Sequence, residues 1–198
     1  MAITIEDIKK LKELTGVGLT DAKVALVAAD GDFDKALEAM RKKGLTRAEK
    51  KGDRETREGL VDSYVHSDRI GVVIEVNCET DFVARLDAFK ELVHQLAMQV
   101  AAMSPKYVSF DDVPAEDYEA KKQELLDSDA LKSKPAEMAE KIVEGQLKKH
   151  FGEQVLLAQT FILDDSMTVE ARIKDQIAKS GENITVGQFR RIELGVSE

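Results

Sequence analysis

The stretch Asn77-Cys78-Glu79-Thr80-Asp81-Phe82-Val83-Ala84 separates two segments with different hydrophobic patterns. Before it, residues 71–76 form a short apolar run, which is typical of a strand. After it, residues 87–103 carry apolar side chains at the spacing of one helix face. An acidic and a large aromatic residue, Asp81 and Phe82, therefore lie side by side where a strand gives way to a helix.

Two interpretations of Phe82 follow from this position. The ring could turn inward as part of the core, beside a helix start that Thr80 or Asp81 caps. Alternatively, the ring could be displayed outward for a partner. Spacing alone favours the core interpretation.

Composition limits the class of protein. The chain has 198 residues, enough for one ordinary domain and a small one, and 43% of them are hydrophobic, which suffices for a core. Its net charge of -9 disfavours direct nucleic-acid binding, since Lys and Arg make most phosphate contacts. No apolar run reaches the roughly 18 residues of a membrane span, and the N-terminus lacks the pattern of a secretory signal. Cys78 is the only cysteine, so no internal disulfide can form. We expect a cytoplasmic protein that contacts neither membrane nor nucleic acid.

Residues 4–43 predict three short helices. Thr4 and Asp7 have the spacing of a capping box at the start of the first helix. Asp32 is placed to cap the third helix, and Gly44 to end it as the residue after its C-cap.

Residues 44–58 are poor in apolar side chains and mix basic with acidic residues. This composition predicts a solvated linker, and a partly helical conformation would also suit it. A basic arm for nucleic acid is the competing interpretation, which the interleaved acids disfavour.

A period of two begins after Gly59 and predicts strands. Residues 60–66 and 71–77 flank a turn at residues 67–70, which indicates a β-hairpin whose buried face ends at Cys78. Residues 184–194 predict a final strand with Ile184, Val186, Ile192 and Leu194 on one parity. Phe189 is out of phase with them, which a bulge at Gly187 would explain.

The remaining segments complete an α+β fold with an antiparallel sheet and helices on one of its faces. They predict a helix over 87–103 capped by Asp87, a short strand at 106–110, a solvated acidic helix within 111–129, a helix from Pro135, an extended segment at 155–163, and a last helix from about Val169 to Ser180-Gly181.

No catalytic apparatus is visible in the sequence. It has no phosphate-binding loop, no dinucleotide fingerprint, no CxxC and no HExxH, and its three histidines lie far apart. A thiol hydrolase that uses Cys78 is conceivable, but nothing local supports one. We therefore predict no catalytic residue, no metal and no cofactor, and expect the function to be binding.

The chain resembles the translation elongation factor Ts family over nearly its whole length. TGVGLTDAKVAL and GDFDKALEAMRKKG are similar to the ubiquitin-associated-like module that opens that family. EGLVDSYVHSDRIGVVIEVNCETDFVA, KPAEMAEKIVEGQLKKHFGE and ENITVGQFRRIELG resemble its core. The resemblance implies a three-helix module with the start of a linker at residues 1–52, and an antiparallel-sheet core (dimerisation) domain at residues 53–198.

The resemblance also implies a function and its residues. The family exchanges guanine nucleotide on the GTPase elongation factor Tu by binding its GDP form and disturbing its Mg²⁺ site, without bond chemistry. In this chain the implied Mg²⁺-displacing contacts are Thr80, Asp81, Phe82 and Val83. The implied hairpin contacts are Tyr64, His66, Ile70 and Gly71.

One departure from the family bears on assembly. Longer members carry two related core subdomains, one with the TDF motif and the other with the YxHxxxIG hairpin. This chain carries both motifs on a single subdomain, so the resemblance implies a homodimer that restores the pair.

Two other classes of function remain open. An adaptor that binds some partner through the three-helix module would keep its binding after deletion of residues 59–198. A small hydrolase would lose its activity on Cys78→Ser.

Overall fold

The computed structural model describes residues 3–15, 17–128 and 136–196 as an α+β fold. Its helices are α1 (Ile5–Thr15), α2 (Leu19–Ala28), α3 (Phe33–Glu49), α4 (Asp81–Ala84), α5 (Asp87–Met103), α6 (Ala115–Leu126), α7 (Ala136–Gly152) and α8 (Val169–Ser180). Its strands are β1 (Glu58–His66), β2 (Ile70–Cys78), β3 (Thr160–Phe161), β4 (Asp164–Thr168) and β5 (Ile184–Glu193).

The main sheet is antiparallel, with the order β1-β2-β5 and β2 at its centre. The predicted hairpin is confirmed. Its turn has left-handed backbone at Ser67 (φ 50°) and Asp68 (φ 57°), as a type I′ turn requires. Gly59 in β1 has a φ of 153°, and a Cβ there would lie 2.2 Å from the Val76 oxygen, so only glycine fits.

One face of the sheet packs on helices and forms the main core. Val72, Ile74, Val76 and Cys78 of β2 point to this inner face and are buried, as the alternation predicts. Helix α5 covers them with a stripe of fully buried side chains: Phe89, Leu92, Val93, Leu96 and Val100. The predicted bounds of α5 are confirmed, but its N-cap residue is Leu86 rather than Asp87. Asp87 lies in the first turn, where its charge interacts favourably with the helix dipole.

The predicted bulge in β5 is confirmed, and it reverses which residues of the strand point to the core. Glu75 pairs with Gln188 and Val76 pairs with Val186, so Gly187 has no partner in β2. The extra residue turns Phe189 toward the core. It also places Ile192 and Leu194 on the opposite face, where both are exposed. The prediction that these two share a face with Ile184 and Val186 was therefore wrong.

Helix α3 does not end at Gly44, contrary to prediction, but continues to Glu49. A Cβ on Gly44 would lie only 3.2 Å from the Ala178 Cβ, so glycine lets α3 pack closely against α8. The end of α3 reaches the main core, where Ala48 is buried. Just beyond it, the Lys51 ammonium donates to the Gly181 carbonyl oxygen. The segment predicted as a solvated linker is thus partly docked on the core.

The three predicted N-terminal helices are confirmed, and they pack around a small core of their own. Leu11, Ala22, Leu26, Ala36 and Met40 are its buried members. The capping box of α1 is confirmed: the Asp7 amide donates to Thr4 Oγ1 at 3.1 Å, and the Thr4 amide donates to Asp7 Oδ2 at 3.1 Å.

The segments around α6 and α7 differ most from prediction. Residues 106–110 form a single bridge between Tyr107 and Val155 instead of a strand, followed by a 3-10 turn at Phe110–Asp112. Residues 155–163 begin with a 3-10 turn and then supply β3, whose partner β4 was not predicted. In α6, Tyr118 stacks on Phe151 of α7 at 5.7 Å between ring centroids, so α6 is only partly solvated. Pro135 falls outside the described residues.

Candidate functional site

Helix α4 displays Phe82 to solvent: its side chain is 73% exposed, and the core interpretation was wrong. The neighbouring Val83 is 3% exposed and belongs to the main core. Successive residues of a helix point about 100° apart, so burial of Val83 turns Phe82 outward. The one-turn helix starts at Thr80, whose hydroxyl accepts from the Val83 amide at 3.4 Å, as the capping pattern predicts.

Asp81 lies beside Phe82 and is also exposed. Its carboxylate forms an ion pair with Arg85 at 2.8 Å, between side chains that are 61% and 80% exposed. Exposed pairs of this kind contribute little stability because water competes for both charges. Asp81 can therefore exchange this contact for one with a partner at low cost.

The backbone of Thr80 is held from several sides. Its amide donates to Glu182 Oε2 at 3.0 Å and its hydroxyl donates to Glu182 Oε1 at 2.7 Å. The Cys78 thiol donates to the Thr80 carbonyl oxygen at 3.2 Å. Burial raises the pKa of that thiol, and the negative charge of Glu182 raises the pKa further. Cys78 is thus buried, as the alternation of β2 predicts, and it is an unsuitable nucleophile.

A second, partly exposed cluster lies at the hairpin end of the sheet. The Tyr64 hydroxyl and His66 Nδ1 are 3.0 Å apart on β1. His94 of α5 meets the Tyr64 ring edge-on at 5.7 Å between centroids, and its Nδ1 lies 2.9 Å from Asp62 Oδ2. The sequence indicated neither Asp62 nor His94, since they come together only when α5 packs on β1.

The other two predicted hairpin residues, Ile70 and Gly71, lie on opposite faces of the sheet. Ile70 pairs with His66 and packs partly against the core, so it shares the face of Tyr64 and His66. Gly71 points to the opposite face, where a Cβ would meet nothing within 4 Å.

The two exposed elements lie at opposite ends of β2. The hairpin cluster adjoins Ile70 and the Phe82 element follows Cys78. At about 3.3 Å per residue, the nine-residue strand separates them by roughly 26 Å. The structure therefore does not bring the two sets of predicted contacts together within one chain.

The outer face of the sheet, opposite α5, carries an exposed apolar patch. Its members are Val61 (65% exposed), Val65 (62%), Val73 (50%) and Ile192 (74%). The strand pairings place Val73 at the centre of the sheet and the other three on the flanking strands. We call these four residues the outer-face patch.

Neither a metal centre nor a membrane span is found in the part of the chain that the structure describes. No group of three or more His, Cys, Asp or Glu side chains within it could hold a metal ion. No helix within it combines the length and the apolar character needed to cross a bilayer.

Comparison with known proteins gives consistent matches. The family model for elongation factor TS matches residues 42–196. Elongation factor Ts of Thermotoga maritima is 53% identical over 196 residues, covering 98% of each chain. Elongation factor Ts of Thermodesulfovibrio yellowstonii is 46% identical over 198 residues, covering 100% of this chain and 99% of the relative. The Thermosynechococcus vestitus protein of the same name is 51% identical over 195 residues, which cover 98% of this chain and 66% of the longer relative.

Proposed function

The chain belongs to the elongation factor Ts family, and from that premise we propose that it is a guanine-nucleotide exchange factor for elongation factor Tu. It binds the GDP form of Tu in the cytoplasm during translation elongation, disturbs the Mg²⁺ site and promotes release of GDP so that GTP can load. The observation that carries this proposal is the exposed Phe82 on a short helix that is capped by Thr80 and anchored in the core by Val83.

The mechanism relies on the strict geometry of Mg²⁺ in a GTPase. Mg²⁺ needs near-ideal octahedral coordination and bridges protein groups to phosphate oxygens. A small displacement of the groups around it therefore weakens the binding of both metal and nucleotide. Phe82, followed by the buried Val83, is presented as a wedge that does not retract into its own core.

Burial of Phe82 in Tu supplies the driving force. Transfer of such a side chain from water into an apolar site is worth about 1.5–3 kcal/mol, enough to offset part of the cost of displacement. Asp81 adds a charged, hydrogen-bonding contact once it leaves Arg85. Thr80 and Val83 contribute by holding the element in place.

Exchange of this kind needs no bond chemistry in the factor. Coupling between two ligands of Tu is reciprocal: if the factor weakens GDP binding, GDP weakens binding of the factor by the same ratio. The factor thus accelerates release without being an enzyme in its own right, and without a cofactor.

Release of a fluorescent GDP from Tu tests the proposal. We expect addition of this protein to accelerate the loss of fluorescence in proportion to its concentration, up to saturation. Release at the spontaneous rate at every concentration would reject the exchange function. Stable binding to Tu without accelerated release would favour the adaptor instead.

The hairpin cluster supplies a second contact with Tu in this proposal. His66 is exposed and its hydrogen bond with Tyr64 lies at the surface, so His66→Ala is expected to change the free energy of unfolding by no more than about 0.5 kcal/mol. We expect it to weaken binding to Tu several-fold, measured by titration calorimetry. His150→Ala, which removes an exposed histidine at the end of α7, is the matched control. Equal affinity of the His66 and His150 variants would exclude a role of His66 in binding.

Assembly completes the proposed mechanism. The two contact elements lie roughly 26 Å apart on one chain, at about 3.3 Å per residue of β2. We propose a homodimer through residues 53–198 that binds two Tu molecules, each of which meets Phe82 of one copy and the hairpin of the other. In this proposal residues 1–52 are the N-terminal helical module, whose last helix also packs against α8 and the main core.

A further inference from the structure

Two carboxylates link the chain segments that follow β2 and precede β5. Glu79 belongs to the first segment and Glu182 to the second, and each accepts a hydrogen bond from the other segment. The last paired residues are Cys78 and Ile184, so Glu79 lies opposite Asn183 and Thr80 opposite Glu182. Glu182 accepts both bonds from Thr80, and Glu79 Oε1 accepts from the Asn183 amide at 2.6 Å. We call Glu79, Thr80, Glu182 and Asn183 the crossed-carboxylate cluster.

Within the crossed-carboxylate cluster, Asn183 forms hydrogen bonds with the segment that precedes β1. Its side-chain amide is buried and donates to the carbonyl oxygens of Gly52 at 3.2 Å and Arg54 at 2.8 Å. The Arg54 guanidinium also lies 3.4 Å from Glu79 Oε1. Glu79 and Asn183 are therefore held by several hydrogen bonds, and they fix the position of the neighbouring Thr80–Glu182 contact.

Helix α4 depends on these contacts because it is only four residues long. A single helical turn is not stable by itself, since it fixes several residues for few hydrogen bonds. The N-cap bond from the Val83 amide to Thr80 Oγ1 is long, at 3.4 Å. The Thr80 hydroxyl gives its proton to Glu182, which leaves its lone pairs free to accept from Val83. Glu182 thus orients the cap as well as the backbone from which Phe82 projects.

We propose that Glu182 is a positioning residue for Phe82. Through two charge-assisted hydrogen bonds to Thr80, which is 102 residues away in sequence, Glu182 fixes the direction in which the exposed ring is presented. This inference rests on the proposed exchange function. The ordering of α4 by Glu182, however, applies to the free protein as well.

The first experiment needs no Tu. The chain contains no tryptophan, so Phe82→Trp introduces a single tryptophan on α4, which is excited at longer wavelength than the three tyrosines. We expect its steady-state anisotropy to fall when Glu182 is replaced by alanine, and to fall less with Glu182→Gln, whose amide oxygen can still accept from the Thr80 hydroxyl. Leu163→Trp, at an exposed residue in the turn between β3 and β4, is the matched control and should not respond. Unchanged anisotropy at position 82, or an equal fall at position 163, would overturn the proposal.

The second experiment is a double-mutant cycle in the GDP-release assay. We expect Glu182→Ala to slow release several-fold at saturating factor when Phe82 is present, and to have almost no further effect in the Phe82→Ala background. Equal effects in the two backgrounds would mean that Glu182 does not act through Phe82, and would overturn the proposal. Glu182→Gln keeps the cycle interpretable if the alanine variant unfolds. A wild-type protein that fails to accelerate release refutes the exchange function, whereas the anisotropy result still decides the role of Glu182 in α4.

Discussion

Replacement of Phe82 by alanine is expected to slow GDP release from Tu at least several-fold while the protein stays folded. Loss of the full burial energy of the ring, about 1.5–3 kcal/mol, would correspond to a loss of about ten- to a hundredfold. Because the ring is 73% exposed in the free protein, its removal should change the free energy of unfolding by no more than about 0.5 kcal/mol. A buried phenylalanine would cost about 3–5 kcal/mol instead.

The measurement pairs stopped-flow release of fluorescent GDP with thermal unfolding of the same samples. Leu163→Ala is the matched control, since it also removes an exposed apolar side chain but lies on the β3–β4 turn. A Phe82→Ala variant that melts far below the wild type, yet exchanges normally per folded molecule, would show that Phe82 stabilises the fold and does not act as a wedge.

The architecture of the sheet was predictable because it depends on local patterns. Alternation in β2 identified the buried face from Val72 to Cys78, and the out-of-phase Phe189 located the bulge at Gly187. The hairpin followed from two strand patterns around a short polar turn. The alternation, the out-of-phase residue and the turn each lie within a few residues of the strand, bulge or hairpin that they predict. These elements could therefore be predicted without knowledge of tertiary contacts.

The errors arose where tertiary contacts override local signals. Gly44 has the position of a helix end, but the close approach of Ala178 makes it an interior packing site of α3. Val83 is buried beside the exposed Phe82, a difference that only the packing of α4 on the core decides, and its part in binding a partner stays a prediction. The side chain that holds Thr80 was missed because Glu182 lies far along the chain, and only the register of β2 with β5 brings it opposite. The exposure of Phe82 likewise could not be derived from spacing, which favoured the core.

The second large effect concerns assembly through the outer-face patch. Val61, Val65, Val73 and Ile192 are apolar, between half and three-quarters exposed, and lie on the sheet face opposite α5. Face-to-face packing of two sheets buries such side chains from both copies, and twofold dimers are the commonest symmetric assembly. The occupant that we propose is a second copy, since a twofold arrangement offers Tu one Phe82 element and one hairpin from different copies. Contacts at the sheet edges, β1 and β5, can add to this interface.

Val73→Lys is therefore expected to convert a homodimer into a monomer. Val73 lies on the central strand, so a lysine there would place an ammonium group inside the packed interface, where burial without a partner costs several kcal/mol. In the isolated chain the same lysine points to solvent, so the monomer should remain folded. Leu163→Lys is the matched control for an added charge at an exposed apolar site. Light scattering coupled to size exclusion should give twice the chain mass for the wild type and the control, and the single chain mass for Val73→Lys. Because each Tu is proposed to touch both copies, the monomeric variant should also lose most of its exchange activity. A wild-type protein that is monomeric at micromolar concentration and drives exchange in a one-to-one complex with Tu would contradict this assembly.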